Sequence, residues 1–262
     1  MKFDAGSLSG YLSATLKVAT EHAETPPQLM FMVRQMDEIF HQEIFGQEFE
    51  ANPTVGLLAM NAYVTLLSAI RQALSGHVVS TFPIARAALE SACYALLARD
   101  ETKADIWTDR HTSDVALKAC RRTFTAQKAA DDLRTISPQM AEYVMAHYEA
   151  SIDFGAHPNR KSVIDHLEDT GPAGEGLHGF ELTGVYGSNS WQVNHALLAC
   201  VEIGQAIAFL IAAAAENHPL ISNRLGVMQR WMDANREILE ELSGEALDYS
   251  GPMYRSVIPP TL

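Results

Sequence analysis

Residues 196–215 read ALLACVEIGQAIAFLIAAAA, a stretch with only two strongly polar side chains, Glu202 and Gln205. A helix built from this run has no face to offer water. It must lie at the centre of a bundle or cross a bilayer. Glu202 and Gln205 stand near its middle, where hydrocarbon penalises them most, and no Lys/Arg cluster flanks it. The reading is therefore a central bundle helix without membrane insertion. Two more segments share this character. Residues 54–75 carry one charge, Arg71, and residues 77–98 carry only Arg86 and Glu90. Three nearly uncharged helices in one chain predict a core made by packing them together.

The rest of the chain follows the helical period, and period-two strands are scarce. The spacing predicts helices over 7–23, 27–46, 54–75, 77–99, 113–135, 138–154, 159–168, 190–217 and 219–243. The breaks have local causes. Asn52-Pro53-Thr54 ends one helical stretch and starts the next, His218-Pro219 marks a tight turn, and Pro27 and Pro138 suit first helical turns, where the missing N–H costs nothing. Ser137 is a capping residue in front of one of them. Ser75-Gly76 is a link short enough to force an antiparallel hairpin. Pro83 either kinks its helix or marks where the regular part begins. Residues 170–189 hold six glycines and read as a long Gly-rich loop with a small hairpin around Phe180 to Tyr186. The expected fold is all-α: one multi-helix bundle of about eight or nine helices over 1–248, followed by an irregular tail over 249–262.

With 262 residues, 47% of them hydrophobic, the chain can bury a sizeable core. Its formal net charge of −13 excludes a broad nucleic-acid surface or an anionic membrane surface, both of which need cations. A small local basic pocket remains compatible with it. Cys93, Cys120 and Cys200 are odd in number and lack metal-ligand spacing. They read as free thiols of a cytoplasmic protein. The N-terminal MKFDAGSLSGYLSATLK has no continuous apolar core of the kind a secretory leader needs. The apolar supply makes a homodimer an expectation, with no face assigned.

Arg86 and Glu90 are four apart, and Cys93 and Leu97 fall on the same side of the helix. An ion pair inside an apolar stripe must find good partners to offset its desolvation. One arrangement joins Arg86, and Arg71 if it reaches, to Glu90 and Glu202 in a buried network. A second is an anion pocket using the planar fork of Arg86, and in a third these charges point outward separately. A second polar segment, HYEASIDFGAHPNRKSVIDH over 147–166, contains a helix break. Tyr148 and Ser151 share a helix face, Gly155 permits a left-handed cap, Pro158 holds His157 away from helical geometry, and Asn159 can cap the next helix. The pocket candidates are thus Arg86, Glu90, Tyr148, Ser151, His157, Asn159 and Glu202. The spacing further predicts that residues 148–159 pack against the middle of helix 77–99.

No catalytic residue is assigned. Glu38…His41 matches a di-iron spacing, but such sites need the pair from two helices plus two more carboxylates. The other match, Glu175…His178, lies in the Gly-rich stretch. His147, His157 and His195 have no ligand spacing, so no metal or cofactor is assigned. Arg-x5-His occurs at Arg71…His77 and Arg160…His166, and Arg-x6-His at Arg34…His41. No Gly-x-Ser-x-Gly is present.

The apolar helix with Arg86-x-x-x-Glu90, together with the later Tyr148-x-x-Ser151…His157-Pro158-Asn159, resembles uncharacterised bacterial all-helical proteins distantly related to HEPN domains. The resemblance covers roughly residues 54–168. It implies a helical bundle with possible ties to defence or RNA metabolism. In HEPN ribonucleases an Arg-x(4–6)-His pair stabilises phosphate and transfers the proton. Here Gln35, Gln72 and Lys161 follow the three arginines, where that family favours Asn, Asp or His. The leading expectation is a binding or regulatory helical module with an internal polar pocket for a small molecule or anion. The alternatives are a HEPN-like metal-independent ribonuclease and, after it, a metal-dependent helical enzyme.

Overall fold

Side-chain caps and prolines start most of the long helices. In the computed structural model, which describes residues 6–158, 160–174, 176–188 and 190–257, α1 (Leu8–Glu24) begins at Ser7, whose hydroxyl accepts from the Gly10 amide. After α2 (Met30–Ile39) and a π-helical turn (Phe40–Ile44), Asn52 caps α3 (Pro53–Leu74) with Pro53 in its first turn. The Ser75–His77 link returns the chain into α4 (Val78–Leu97). Gly76 sits there at φ 81°, and a Cβ at this residue would lie 2.5 Å from the Tyr186 carbonyl. α4 stays helical through Pro83.

Peripheral helices follow: α5 (Glu101–Thr108), α6 (Asp114–Thr123), α7 (Ala126–Leu133), α8 (Pro138–Ser151) and the short α9 (Arg160–Ile164), of which α7 and α8 pack on α4. An antiparallel hairpin of β1 (Leu167–Gly174) and β2 (Leu177–Leu182) comes next. The chain closes with α10 (Trp191–Ala214), α11 (Pro219–Ser222) and α12 (Leu225–Ser243). α3 and α4 pack along each other, α10 packs on both, and α2 crosses α10. Every residue from Ala196 to Ala214 is buried, which is where an all-apolar helix has to go.

The protein is thus mainly α-helical, but it differs from the sequence expectation in three places. There are twelve α-helical segments among the described residues, not eight or nine. Thr125 accepts from the Lys128 amide inside the stretch 113–135 and splits it into α6 and α7. Asp100 caps an unforeseen α5, and residues 223–224 separate α11 from α12. The region 170–189 is not one long loop: strands occupy Leu167–Gly174 and Leu177–Leu182, with register shifts beside Gly171 and Gly174. Its glycines hide the period-two signal, and its side chains are mostly exposed, so no apolar face announced a strand. Finally, the segment after Tyr249 includes a 3-10 turn (Met253–Arg255) and buries Met253, Tyr254 and Val257.

Candidate functional site

Arg86 lies midway along α4, next to the apolar face that carries Phe82 and Leu89. Its Nε donates to Glu90 Oε1 at 3.1 Å, one helical turn on. The rest of the guanidinium points to the last turn of α8 and the segment that follows it. Nη2 donates to the Tyr148 hydroxyl at 2.5 Å, and the guanidinium carbon stands 4.4 Å from the centre of the Tyr148 ring. Nη1 meets His157 Nε2 at 3.2 Å. Arginine can only donate, so Nε2 of His157 is the accepting nitrogen. The three contacts use three of the five guanidinium N–H groups, leaving one on each terminal nitrogen. His157 is exposed and the Arg86 side chain is 18% exposed, so the cluster opens to solvent.

The chain reaches this arrangement through two local features. A π-helical turn (Ile152–Ala156) extends α8 before the chain straightens at His157. Gly155 is not the left-handed cap the sequence suggested: its φ is 162°, an extended value. What it provides is room, because a Cβ there would lie 2.5 Å from the Val79 carbonyl oxygen. That carbonyl would have received its helical hydrogen bond from residue 83, and Pro83 has no N–H. The proline that looked like a defect in α4 therefore sits where the 152–156 turn presses closest. Phe154 stacks on Phe82 at 5.3 Å. Residues 148 to 157 do pack on the middle of α4.

The other candidates divide. Ser151 is buried and donates to the Tyr148 carbonyl at 2.7 Å, so it closes the end of α8 and does not contact Arg86. Asn159 lies outside the described residues. Arg71 is exposed near the end of α3. Glu202 is not part of the Arg86 cluster. It is fully buried in α10, and its two oxygens accept from the backbone amides of Met253 at 3.1 Å and Tyr254 at 3.3 Å. Burial pushes its carboxyl up to about 8 against the opposing pull of those two amides.

Around Glu202 lies a second polar centre that sequence reasoning missed. The Tyr143 hydroxyl donates to Gln205 Oε1 at 2.7 Å. His147 packs edge-on against Tyr143 at 4.3 Å, and both its ring nitrogens lack partners among the described residues. Burial drives its imidazole down to about 3. Tyr254 is buried among Phe82, Phe154 and His195, its carbonyl accepts from His195 Nε2 at 2.7 Å, and Arg255 pairs with Asp153 at 3.0 Å. Tyr143 and His147 are four apart on α8, and Gln205 is three from Glu202. That spacing was a signal, but nothing in the tail's sequence said that Tyr254 would join them. α8 serves both centres because consecutive residues point about 100° apart: His147 faces inward and Tyr148 faces Arg86.

The motif matches do not converge. His77 bonds Gln72, His166 bonds the Tyr186 hydroxyl, and His41 bonds the Tyr63 hydroxyl, so none meets the arginine of its own pair. His178 pairs with Asp169. Among the described residues no group of three His, Cys, Asp or Glu stands close enough to hold a metal ion. The cysteines are free and buried, with the Cys93 thiol pushed up to about 12 by burial and by Glu90, which removes it as a nucleophile at neutral pH. Two helices, α3 and α10, are long and apolar enough to cross a membrane. The most apolar stretch of α10 is wholly buried in the bundle, whereas that of α3 is only partly so. No family model, no curated protein and no solved structure matches this chain.

Proposed function

We propose that the protein is a binding or regulatory module that receives one anionic group, a phosphate or carboxylate, of a small molecule at the Arg86–Tyr148–His157 cluster. The observation that carries this reading is a guanidinium fixed on three sides, with an N–H to spare on each terminal nitrogen beside an exposed imidazole. A pre-oriented planar fork is suited to bidentate oxyanion binding, and it loses little freedom when the anion arrives. Arg160 and Lys161 follow His157 by three and four residues and add positive charge to this stretch of an acidic protein. The three reduced thiols support a cytoplasmic setting.

Titration with inorganic phosphate and with acetate, monitored by calorimetry, tests the proposal. Binding should weaken at least tenfold in Arg86→Ala. It should weaken less in Arg86→Lys, which keeps the charge but loses the fork. Equal binding by wild type and Arg86→Ala overturns the reading. The Arg86–His157 contact favours a second reading, metal-independent RNA cleavage of the HEPN type. That reading requires cleavage that survives chelation and is lost in both Arg86→Ala and His157→Ala. Intact RNA across varied sequences and structures sinks it.

A further inference from the structure

α3 carries a row of large apolar side chains that the bundle does not cover. Leu57 is 66% exposed, Met60 52%, Val64 54% and Leu67 39%. Their spacing is three, four and three, and it extends by four at each end to Pro53 and Arg71. At 100° per residue the six positions lie within an arc of about 80°. The opposite side of α3, centred on Val55, Ala62, Leu66 and Ala73, is buried in the core. A narrow 3-4-3 row is the pattern of a helix-pairing seam, whereas a lone helix packed on a globular core shows one broader stripe.

We infer that this face of α3 is a homodimer seam, in which α3 of one copy pairs antiparallel with α3 of a second. The charges select both the occupant and the direction. Arg71 stands at the C-terminal end of the row, exposed, and its side chain pairs with no other described residue. Glu50, Glu101 and Glu216 gather around the other end of α3, in a recess shared with Asn52 and Arg99. Antiparallel pairing brings each copy's Arg71 to the Pro53 end of the other's α3, the end near which these carboxylates stand. Parallel pairing sets Arg71 against Arg71. A two-fold axis near residue 62 then places Leu57 against Leu67 and Met60 against Val64, so the patch complements itself as a two-fold interface requires. A bilayer fits this face less well, because exposed Asn61 and Ser68 border an arc only one seam wide. The other exposed row, Leu8, Leu12 and Leu16 on α1, belongs to a helix that touches the body little. α3 is held rigidly between α4 and the core and can fix a register.

The full-length protein should sediment at twice the mass of the chain at tens of micromolar. Val64→Glu should return it to the monomer with an unchanged helical circular dichroism spectrum, while Leu12→Glu should stay dimeric. Mixing Leu57→Cys with Leu67→Cys protein under mild oxidation should give a crosslinked heterodimer, and Leu57→Cys alone should not crosslink. The native cysteines are buried and serve as the background control. A monomeric wild type, a dimer that survives Val64→Glu, or a dimer lost in Leu12→Glu but not in Val64→Glu each overturns the inference. So does wild-type monomer that sediments with anionic phospholipid vesicles through α3. Self-crosslinking of Leu57→Cys alone overturns the antiparallel direction.

Discussion

Two glutamates enter apolar helices of this bundle and meet different fates. Glu90 has a cation one turn away on its own helix, lies at the edge of the core, and shares Arg86 with Tyr148 and His157. Glu202 pairs with no cation among the described residues, is fully buried, and rests on two backbone amides from the far end of the chain. The first arrangement keeps its charges partly in water and leaves donors to spare, so it can accept a ligand. The second offers nothing to solvent, so it can only hold the protein together. A buried carboxyl is costly unless its hydrogen bonds are made, and here the Met253–Arg255 turn makes them. Phe154, from the turn that leads to His157, stacks on Phe82 and packs against Tyr254 beside the sealed centre.

The contrast can be broken most forcefully at Glu202. Glu202→Ala leaves two buried amides without acceptors and opens a void, which should cost about 3 kcal/mol. Urea denaturation measures the loss, and hydrogen exchange at Met253 and Tyr254 should accelerate. A variant as stable as wild type, with those amides still protected, would show that the Glu202 carboxyl does not secure the segment.

The pH dependence of stability is the next test. Burial raises Glu202 to about 8 from 4.5. The unfolded chain therefore gives up this proton first, and stability falls as pH rises from about 4.5 to about 8. Burial lowers His147 to about 3 from 6.5. The unfolded chain takes up that proton first, and stability falls as pH drops from about 6.5 to about 3. Between about 4.5 and 6.5 the two slopes oppose and cancel. From these two groups the protein should be most stable on that plateau and lose roughly 2 kcal/mol by pH 8. In Glu202→Gln the alkaline fall should vanish and the acid fall should remain. An unchanged alkaline limb contradicts the assignment.

Smaller effects belong to the open cluster. Arg86→Ala strips Glu90, Tyr148 and His157 of a partner in partly wet surroundings, and should cost about 1–2 kcal/mol in thermal or urea unfolding. A loss as large as that of Glu202→Ala would erase the distinction between the centres. The Arg255–Asp153 pair is more exposed still, with both side chains over 40% accessible. Arg255→Ala should lower stability by no more than about 1 kcal/mol, and less at high salt. If hydrogen exchange in 152–156 does not change in that variant, the pair does not steady the turn that presents His157.

Much of the open cluster was legible because its signals are local. Arg86 and Glu90 are one turn apart, Pro158 dictates the backbone at His157, and an apolar helix with a single ion pair needs polar neighbours. The sealed centre was not legible. Glu202 stood out as a charge in the wrong place, but its partners are amides, which every residue carries and no sequence marks. They come from a proline-rich end with no periodicity. The split of residues 113–135 at Thr125 and the strands at Leu167–Gly174 and Leu177–Leu182 were hidden for a related reason. Apolar spacing runs on across Thr125, and glycine carries no side chain to betray a strand.

The near absence of charge in α3, α4 and α10 was enough to place these helices against one another, since apolar helix faces gain most in water by packing together. The sequence likewise placed a break in residues 148–157 and their return beside α4. Which charge answers which was settled by packing in three dimensions. Arg86 found Tyr148 and His157, Glu202 found the Met253–Arg255 turn, and Arg71 found no partner within the described chain. Periodicity places a residue on a face of its own helix. Whether a charge there is paired, buried or left open depends on atoms that arrive from distant parts of the chain, and packing alone brings them.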